Sequence, residues 1–565
     1  MKIIKNNVVK FILLAILVFG ISFGIILATR NAGPVGPDRN TISQEASIKK
    51  MNELYRSISI NTLSLKIDEL YIDDEELVTV LPDISEYPFV VNPTTDEFLT
   101  VYSSSESAGT DLAGWFAEVA DKFNQSGLIV DGKPVSVGVR SMTSGLGADF
   151  ISSGKYKPDI YIPASELYGN ILISKGIKVN LIQKRTAGNV AGLVISRAKN
   201  EELVNKYGSI SSKIIADCVI NGELIMGYTN PLSSSEGLNF LLTLLHTFDA
   251  ENPLSEPAVT QLTKFQDKIP FTPYNIRQLS DSTAAGVLDG FASDYLTYFN
   301  SPASTSGYVF IPFGVRHDQP VYEIGDLPAI KKQICEKFLE YCSSPESQTL
   351  ANNTGLNNFE DYIPDLAEFD GAAIIQAQEI WKREKNGSSD LTAVFVADIS
   401  GSMEGSPLLR LKASLNRASS FIDANTNIGL VTFSNDVNIA LPIGKFDVTQ
   451  KAYFSNAVKS MSAGGGTAMF DAIVAAQKML MDAKEQNPNT RLMLFVLTDG
   501  ETNQGYSFDD IESMSRGLRI PIYTIGYNAD IEILKEVSDI NEAATIDAET
   551  DDVIYRLQNL FNAQM

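Results

Sequence analysis

Five side-chain oxygens in the last third of the chain are spaced as a metal site would need them. Asp398, Ser400 and Ser402 lie in the string Asp-Ile-Ser-Gly-Ser, Thr467 follows Gly464-Gly465-Gly466, and Asp499 lies in Thr498-Asp499-Gly500. Three hydroxyls and two carboxylates, with no imidazole and no thiol, are hard-oxygen donors suited to a small divalent cation. Such a set is a binding device, since it pairs no nucleophile with a base. Each oxygen follows an apolar run or opens a helical stretch. The runs Leu391–Ala397 and Leu492–Thr498 read as buried strands, and Ala468–Lys484 reads as a helix opened by Thr467. In an open parallel sheet the carboxyl ends of the strands converge on one crevice, so these elements would bring the five oxygens together.

The pattern resembles the metal-ion-dependent adhesion site of von Willebrand factor type A domains. Asp-x-Ser-x-Ser, a distant Thr and a distant Thr-Asp-Gly stand here as Asp398, Ser400, Ser402, Thr467 and Thr498-Asp499-Gly500. The resemblance runs over residues 388–565 and includes Gly465-Gly466-Thr467 followed by Asp471-Ala472. It implies a doubly wound, Rossmann-like domain that holds Mg²⁺ (or Ca²⁺ or Mn²⁺), with an open position for an Asp or Glu from a partner protein. Taken alone, Asp-x-Ser-x-Ser would also serve as a helix-capping cluster.

A chain of 565 residues exceeds what one hydrophobic core organises, so two or three domains are expected. The 44% hydrophobic and 20% charged content is ordinary for globular protein and argues against long disorder. With 45 basic against 69 acidic residues the net charge is −24, which argues against nucleic acid or anionic lipid as a partner. Phe11–Ala28 is an uncharged apolar run, preceded by Lys2, Lys5 and Lys10. Its length and flanks predict a cytoplasmic tail over 1–10, a transmembrane anchor over 11–29 and an extracytoplasmic remainder. A cleaved signal peptide is the rival reading, although Ile26-Leu27-Ala28 makes a poor cleavage site.

Cys218, Cys335 and Cys342 build no disulfide framework. The last two share a helical stretch that separates them by about 10 Å along its axis, too far to bridge. All three read as small core residues. His246 and His317 lie far apart and lack zinc-type neighbours, so each is read as a core or surface residue.

Residues 30–96 read as a stalk. It holds a Gly/Pro spacer, an amphipathic helix within Ser43–Ser59 with Ile48, Met51, Leu54 and Tyr55 on one side, and an acidic stretch around Asp73. Residues 97–385 alternate strands (Phe98–Tyr102, Val135–Val139, Ile160–Ile162, Val190–Ser196, Leu224–Tyr228) with helices (Asp111–Phe123, Gly237–Thr247, Ala329–Tyr341). The alternation predicts parallel sheets covered by helices, and the length predicts two lobes. This region resembles the two-lobed extracellular solute-binding proteins of bacterial ABC importers, of the molybdate and sulfate type. The resembling segments are Val101-Tyr102-Ser103-Ser104-Ser105-Glu106, Pro158-Asp159-Ile160-Tyr161, Gly227-Tyr228-Thr229-Asn230-Pro231 with Ser233-Ser234-Ser235-Glu236-Gly237, and the stretch from Tyr341 to Gln348. The resemblance implies a periplasmic-binding-protein-like fold with a ligand cleft that closes by hinge motion.

The fold class expected is therefore α/β throughout: a two-lobed binding-protein-like domain over 97–385, a doubly wound domain over 388–565, and an N-terminal transmembrane helix. In the cleft, Ser104, Ser105, Thr143, Ser144, Ser233 and Ser234 would sit near helix N-termini, where free N–H groups and hydroxyls make an oxyanion cradle. Arg140, at a strand end, would add a bidentate contact. A small anionic or zwitterionic solute is expected on that basis, while helix capping is the plainer use of the same serines. The pattern offers no Ser-His-Asp arrangement, and Gly464–Gly466 lacks the lysine of a phosphate loop, so no enzyme is expected. The stripe Tyr453, Phe454, Val458 and Met461 reads as core. Together these features predict a bacterial-type cell-surface binding protein that joins metal-dependent partner capture to a solute module. Two rivals stay open: a solute receptor of an ABC-type importer or sensor whose distal domain only docks it, and a structural envelope-assembly protein.

Overall fold

The computed structural model describes residues 43–65, 81–109, 114–269, 288–301, 307–364, 366, 368–385, 390–419, 422, 425–500, 502–527, 531–539 and 545–547. The expected span Phe11–Ala28 and the acidic stretch around Asp73 lie outside them, and among the described residues no helix is long and apolar enough to cross a membrane.

The last third of the chain builds most of a seven-stranded sheet. Its spatial order is Ile60–Thr62, Val437–Lys445, Asn427–Phe433, Leu391–Asp398, Arg491–Thr498, Ile522–Gly526 and Thr545–Asp547. The last five run parallel, and Val437–Lys445 is antiparallel to its neighbour Asn427–Phe433. Every position of Leu391–Asp398 is buried, because helices cover both faces. Ala393, Phe395 and Ala397 pack on one side with Leu411 and Phe454, and Val394 and Val396 pack on the other with Ile473 and Met514. A strand covered twice has no polar face, which is why it reads as a continuous apolar run. The stripe Tyr453, Phe454, Val458 and Met461 lies in the first of these cores, as its spacing predicts.

The reading of residues 30–96 as a stalk is corrected by this sheet. Helix Gln44–Tyr55 is capped by Ser43, whose side chain accepts from the Ala46 N–H. Met51 sits in the same core as Ile473, with Ile48, Leu54 and Tyr55 packed against it. Lys50 Nζ reaches Ser513 Oγ at 3.3 Å, and Tyr506 Oη donates to Leu54 O. The chain then adds strand Ile60–Thr62 alongside Val437–Lys445, with Ile60 opposite Val437. The apolar stripe is real, but it seals a domain instead of spacing one. A short added strand also covers what would be the exposed edge of Val437–Lys445.

Between these two parts of one sheet lies the two-lobed unit. Its first lobe orders strands Phe89–Val91, Lys133–Met142, Glu97–Ser104, Ile160–Ile162, Val321–Ile324 and Val179–Gln183. Its second orders Tyr308–Arg316, Val190–Ser196, Gly290–Asp294 and Met226–Gly227. The chain crosses between the sheets after Val179–Gln183 and returns after Tyr308–Arg316. The two crossings bind each other: Thr186 Oγ1 donates to Gln319 O at 2.9 Å, and the His317 N–H donates to Asn189 O at 3.0 Å. Helix Gly371–Glu384 straddles both lobes. A Cβ at Gly371 would sit 2.0 Å from Asn170 O in the first, while Trp381 Nε1 donates to Tyr228 Oη in the second at 2.7 Å. Cys218, Cys335 and Cys342 are free and buried, as small core residues are.

Candidate functional site

Asp398 closes strand Leu391–Asp398, and Asp499 follows strand Arg491–Thr498, its parallel neighbour. The two acids therefore stand at adjacent strand ends. Two loops are stitched beside them. The Gly401 N–H donates to Gly465 O at 3.0 Å, and the Gly464 N–H donates to Ile399 O at 2.9 Å. Gly465 has φ +88°, a left-handed conformation that suits glycine and lets the loops approach so closely. Thr467 is held by the loop after Asp499: its N–H donates to Asn503 Oδ1 at 2.9 Å, and its carbonyl accepts from the Asn503 N–H at 3.1 Å. The strand ends and loops that carry the five expected residues thus meet at one end of the sheet.

Asp398 Oδ1 accepts from the Ser400 N–H at 2.8 Å, and Oδ2 accepts from Thr498 Oγ1 at 2.6 Å. Ser400 and Ser402 place their hydroxyls 3.0 Å apart. Asp398 and Ser400 are fully buried, while Ser402 is exposed and marks the open side. Asp499 Oδ1 is buried with no hydrogen-bond partner. Burial pushes the Asp398 carboxyl up to about 6, and the Asp499 charge beside it adds to the rise. Two desolvated carboxyls with an orphaned oxygen, flanked by hydroxyls, fit a hard cation that would neutralise them. Among the described residues no three of His, Cys, Asp and Glu group as metal ligands, so a cation here depends on the hydroxyl oxygens.

The expected solute-site residues have other partners. Thr143 caps helix Ser144–Ser153 through the Leu146 N–H, and Ser144 Oγ accepts from the Ala164 N–H at 3.2 Å. Ser234 caps helix Ser235–Phe248 through the Gly237 N–H and meets Thr229 Oγ1 at 2.6 Å and Glu236 Oε2 at 2.7 Å. Ser104 Oγ lies 3.1 Å from Ser107 Oγ, and Ser105 opens the short helix Ser105–Ala108. Ser233 does bridge the lobes, since its carbonyl accepts from the Gly145 N–H at 3.1 Å. Arg140 stands apart from this group. It donates to the Ile84 and Tyr87 carbonyls and lies 3.9 Å over the Phe89 ring, pinning the segment that leads into Phe89–Val91. The expected oxyanion contact is corrected accordingly: the guanidinium organises backbone, because Phe89 pairs directly with Arg140 in the sheet.

Three acids between the lobes escaped the sequence reading, Glu106, Glu236 and Asp294, and His317, read there as a core or surface residue, is buried beside Glu236. Asp294 is fully buried and caps helix Tyr295–Asn300. Burial drives the Glu106 carboxyl up to about 7, with the Asp294 charge adding to it. Burial, then the charges of Glu106 and Asp294, hold Glu236 well above the carboxylate range. Burial drops His317 to about 4. A signal was present: Ser103-Ser104-Ser105-Glu106 and Ser233-Ser234-Ser235-Glu236 repeat one string, and the acid ends each.

Residues 393–563 match the family model for the von Willebrand factor type A domain. A von Willebrand factor A domain-containing protein of Dictyostelium discoideum is 28% identical over 208 residues, covering 36% of this chain and 19% of the relative. Human inter-alpha-trypsin inhibitor heavy chain H6 is 25% identical over 224 residues, covering 35% and 17%. The match thus spans less than a fifth of either relative. Among solved structures, the sulfate-binding protein SubI of Mycobacterium tuberculosis aligns with 14% identity and a TM-score of 0.35, over 47% of this chain and 88% of its own. The five-oxygen crevice accordingly belongs to a von Willebrand factor type A domain, which this chain carries over residues 393–563.

Proposed function

We propose that the protein is a binding protein in which Asp398, Ser400, Ser402, Thr467 and Asp499 hold a divalent cation, and that this site captures a carboxylate of a partner protein. The observation that carries the reading is the orphaned, buried Asp499 Oδ1 beside the buried carboxyl of Asp398. A bound cation would neutralise both and leave a Lewis-acidic position for an acidic side chain. The exposed hydroxyl of Ser402 supports access from solvent. At a net charge of −24 the chain repels an acidic partner at long range, so the cation must supply attraction that acts only at contact. On this reading the two-lobed unit is a ligand-binding module inserted into the adhesion domain, and Phe11–Ala28 anchors the assembly with both modules outside the cell. The test is a pull-down from the same organism's envelope with Mg²⁺, with chelator, and with Asp398→Ala. Capture lost in the last two conditions supports the reading, and capture that persists in both sinks it.

A further inference from the structure

The two lobes meet over acidic side chains that the metal crevice does not use. Glu106 comes from the first lobe, in the turn of helix after strand Glu97–Ser104. Glu236 and Asp294 come from the second, at the start of helix Ser235–Phe248 and the end of strand Gly290–Asp294. Burial raises both glutamates, and the lobes then act on one another: the Asp294 charge raises Glu106 further, and the charges of Glu106 and Asp294 raise Glu236. Glu106 Oε2 and Glu236 Oε1 are buried without partners, as are the hydroxyls of Ser103, Ser165 and Ser235. Glu236 is 3% exposed and each of these serines 1% or less.

His317 closes the group. Asn239 Oδ1 accepts from the Val315 N–H, so its Nδ2 is the donor to His317 Nε2 at 3.1 Å. Neutral His317 then carries its proton on Nδ1, which lies 3.7 Å from Glu236 Oε1, beyond hydrogen-bond range.

The sign of the ligand follows from the donors. The helix-end N–H groups that would cradle an anion are already met by the chain's own oxygens: Leu146 by Thr143, Gly237 by Ser234 and Thr297 by Asp294. What is left over is mostly oxygen, the unpartnered Glu106 Oε2, Glu236 Oε1 and three serine hydroxyls, with the His317 Nδ1 position as the one nitrogen beside them, and the charges these groups can carry are chiefly those of three carboxyls.

We propose that this cleft binds a small organic cation bearing a protonated amine, with Glu106 and Glu236 accepting its N–H groups and the buried side chain of Asp294 beside them. The inference rests on the two-lobed unit being a ligand-binding module. An ammonium group supplies the donors these oxygens lack and offsets the charge they would otherwise bury unpaired. It also links binding to proton release, since Glu106 and Glu236 ionise when the cation arrives.

The test uses the full chain in saturating Mg²⁺, which keeps the metal crevice constant. Thermal shift and calorimetry are run with methylamine, putrescine and spermidine, with sulfate and molybdate as anions. The expected result is that at least one amine binds and releases protons, read as a binding enthalpy that depends on the ionisation enthalpy of the buffer. Its affinity falls at least tenfold in Glu236→Gln and in Glu106→Gln, whose own melting temperatures stay at or above wild type. Amine affinity unchanged in both variants overturns the assignment. Binding of the anions alone also overturns it but leaves the ligand-binding reading standing, and no response to either class overturns both.

Discussion

Met51→Ala tests whether the first described helix belongs to the von Willebrand factor type A domain. Met51 is 1% exposed and packs with Ile473 and Met514 against the face of strand Leu391–Asp398 that carries Val394 and Val396. Burying a Met side chain is worth about 1.5–3 kcal/mol, and truncation adds a cavity term, so Met→Ala in a core costs about 2–5 kcal/mol. The helix lies at the periphery of its domain and can settle inward, which places the expected loss near ~3 kcal/mol. For a domain of this size that lowers the melting temperature by roughly 6–12 °C. A chain with several domains has several transitions, so the relevant one must be assigned. Mg²⁺ at about one hundred times its dissociation constant adds ~2.7 kcal/mol to whatever binds it, which on the proposed function labels the transition of the von Willebrand factor type A domain. Differential scanning calorimetry with and without Mg²⁺ is the assay. If Met51→Ala moves the Mg²⁺-sensitive transition by less than about 1 °C, the helix is not part of that core and the insertion topology is wrong.

Three further outcomes are expected. Asp499→Asn removes the orphaned carboxylate charge, so it should abolish the Mg²⁺-dependent thermal shift while leaving the metal-free melting temperature unchanged or higher, as read by thermal scanning. Glu106 has a folded pKa of about 7 against an ordinary 4.5, so the folded state holds the extra proton between those values and loses stability as pH rises through them. Glu106→Gln should therefore gain on wild type by about 1–3 kcal/mol between pH 5 and pH 8, measured from urea midpoints. His317 acts in the opposite direction: its folded pKa near 4 makes stability fall as pH drops below its unfolded value, which is why the comparison with the variant, and not the wild-type slope, is the readout. Arg140→Ala should destabilise the first lobe by about 2 kcal/mol, through the lost carbonyl contacts and the lost stacking on Phe89, without changing ligand affinity in calorimetry.

The crevice was legible because its parts are local. Leu391–Asp398 and Arg491–Thr498 are buried strands, and they announce themselves as apolar runs whose ends carry the acids. The partner of helix Gln44–Tyr55 was not legible: a stripe of Ile48, Met51, Leu54 and Tyr55 states that a face is buried, not against what. Strand Ile60–Thr62 has three residues, too few to display a period. Arg140 was placed correctly at a strand end but given the wrong partner, since its position over Phe89 follows from a pairing between distant segments. Glu106 and Glu236 were passed over because a carboxylate is normally solvated, and only the meeting of two lobes takes these out of water.

The split sheet also dictates an order of biosynthesis. Asn61 and Asn438 touch across 377 residues, so the amino-terminal strand leaves the ribosome long before its neighbour exists. Joining those ends through an unstructured chain would cost about 5 kcal/mol in loop entropy. A two-lobed unit that has already folded shortens the effective loop and removes most of that cost. Until then the Met51 face stays open to solvent, a natural target for a chaperone. Lesions in the two-lobed unit should therefore surface as failed maturation of the von Willebrand factor type A domain, although they lie in a different core.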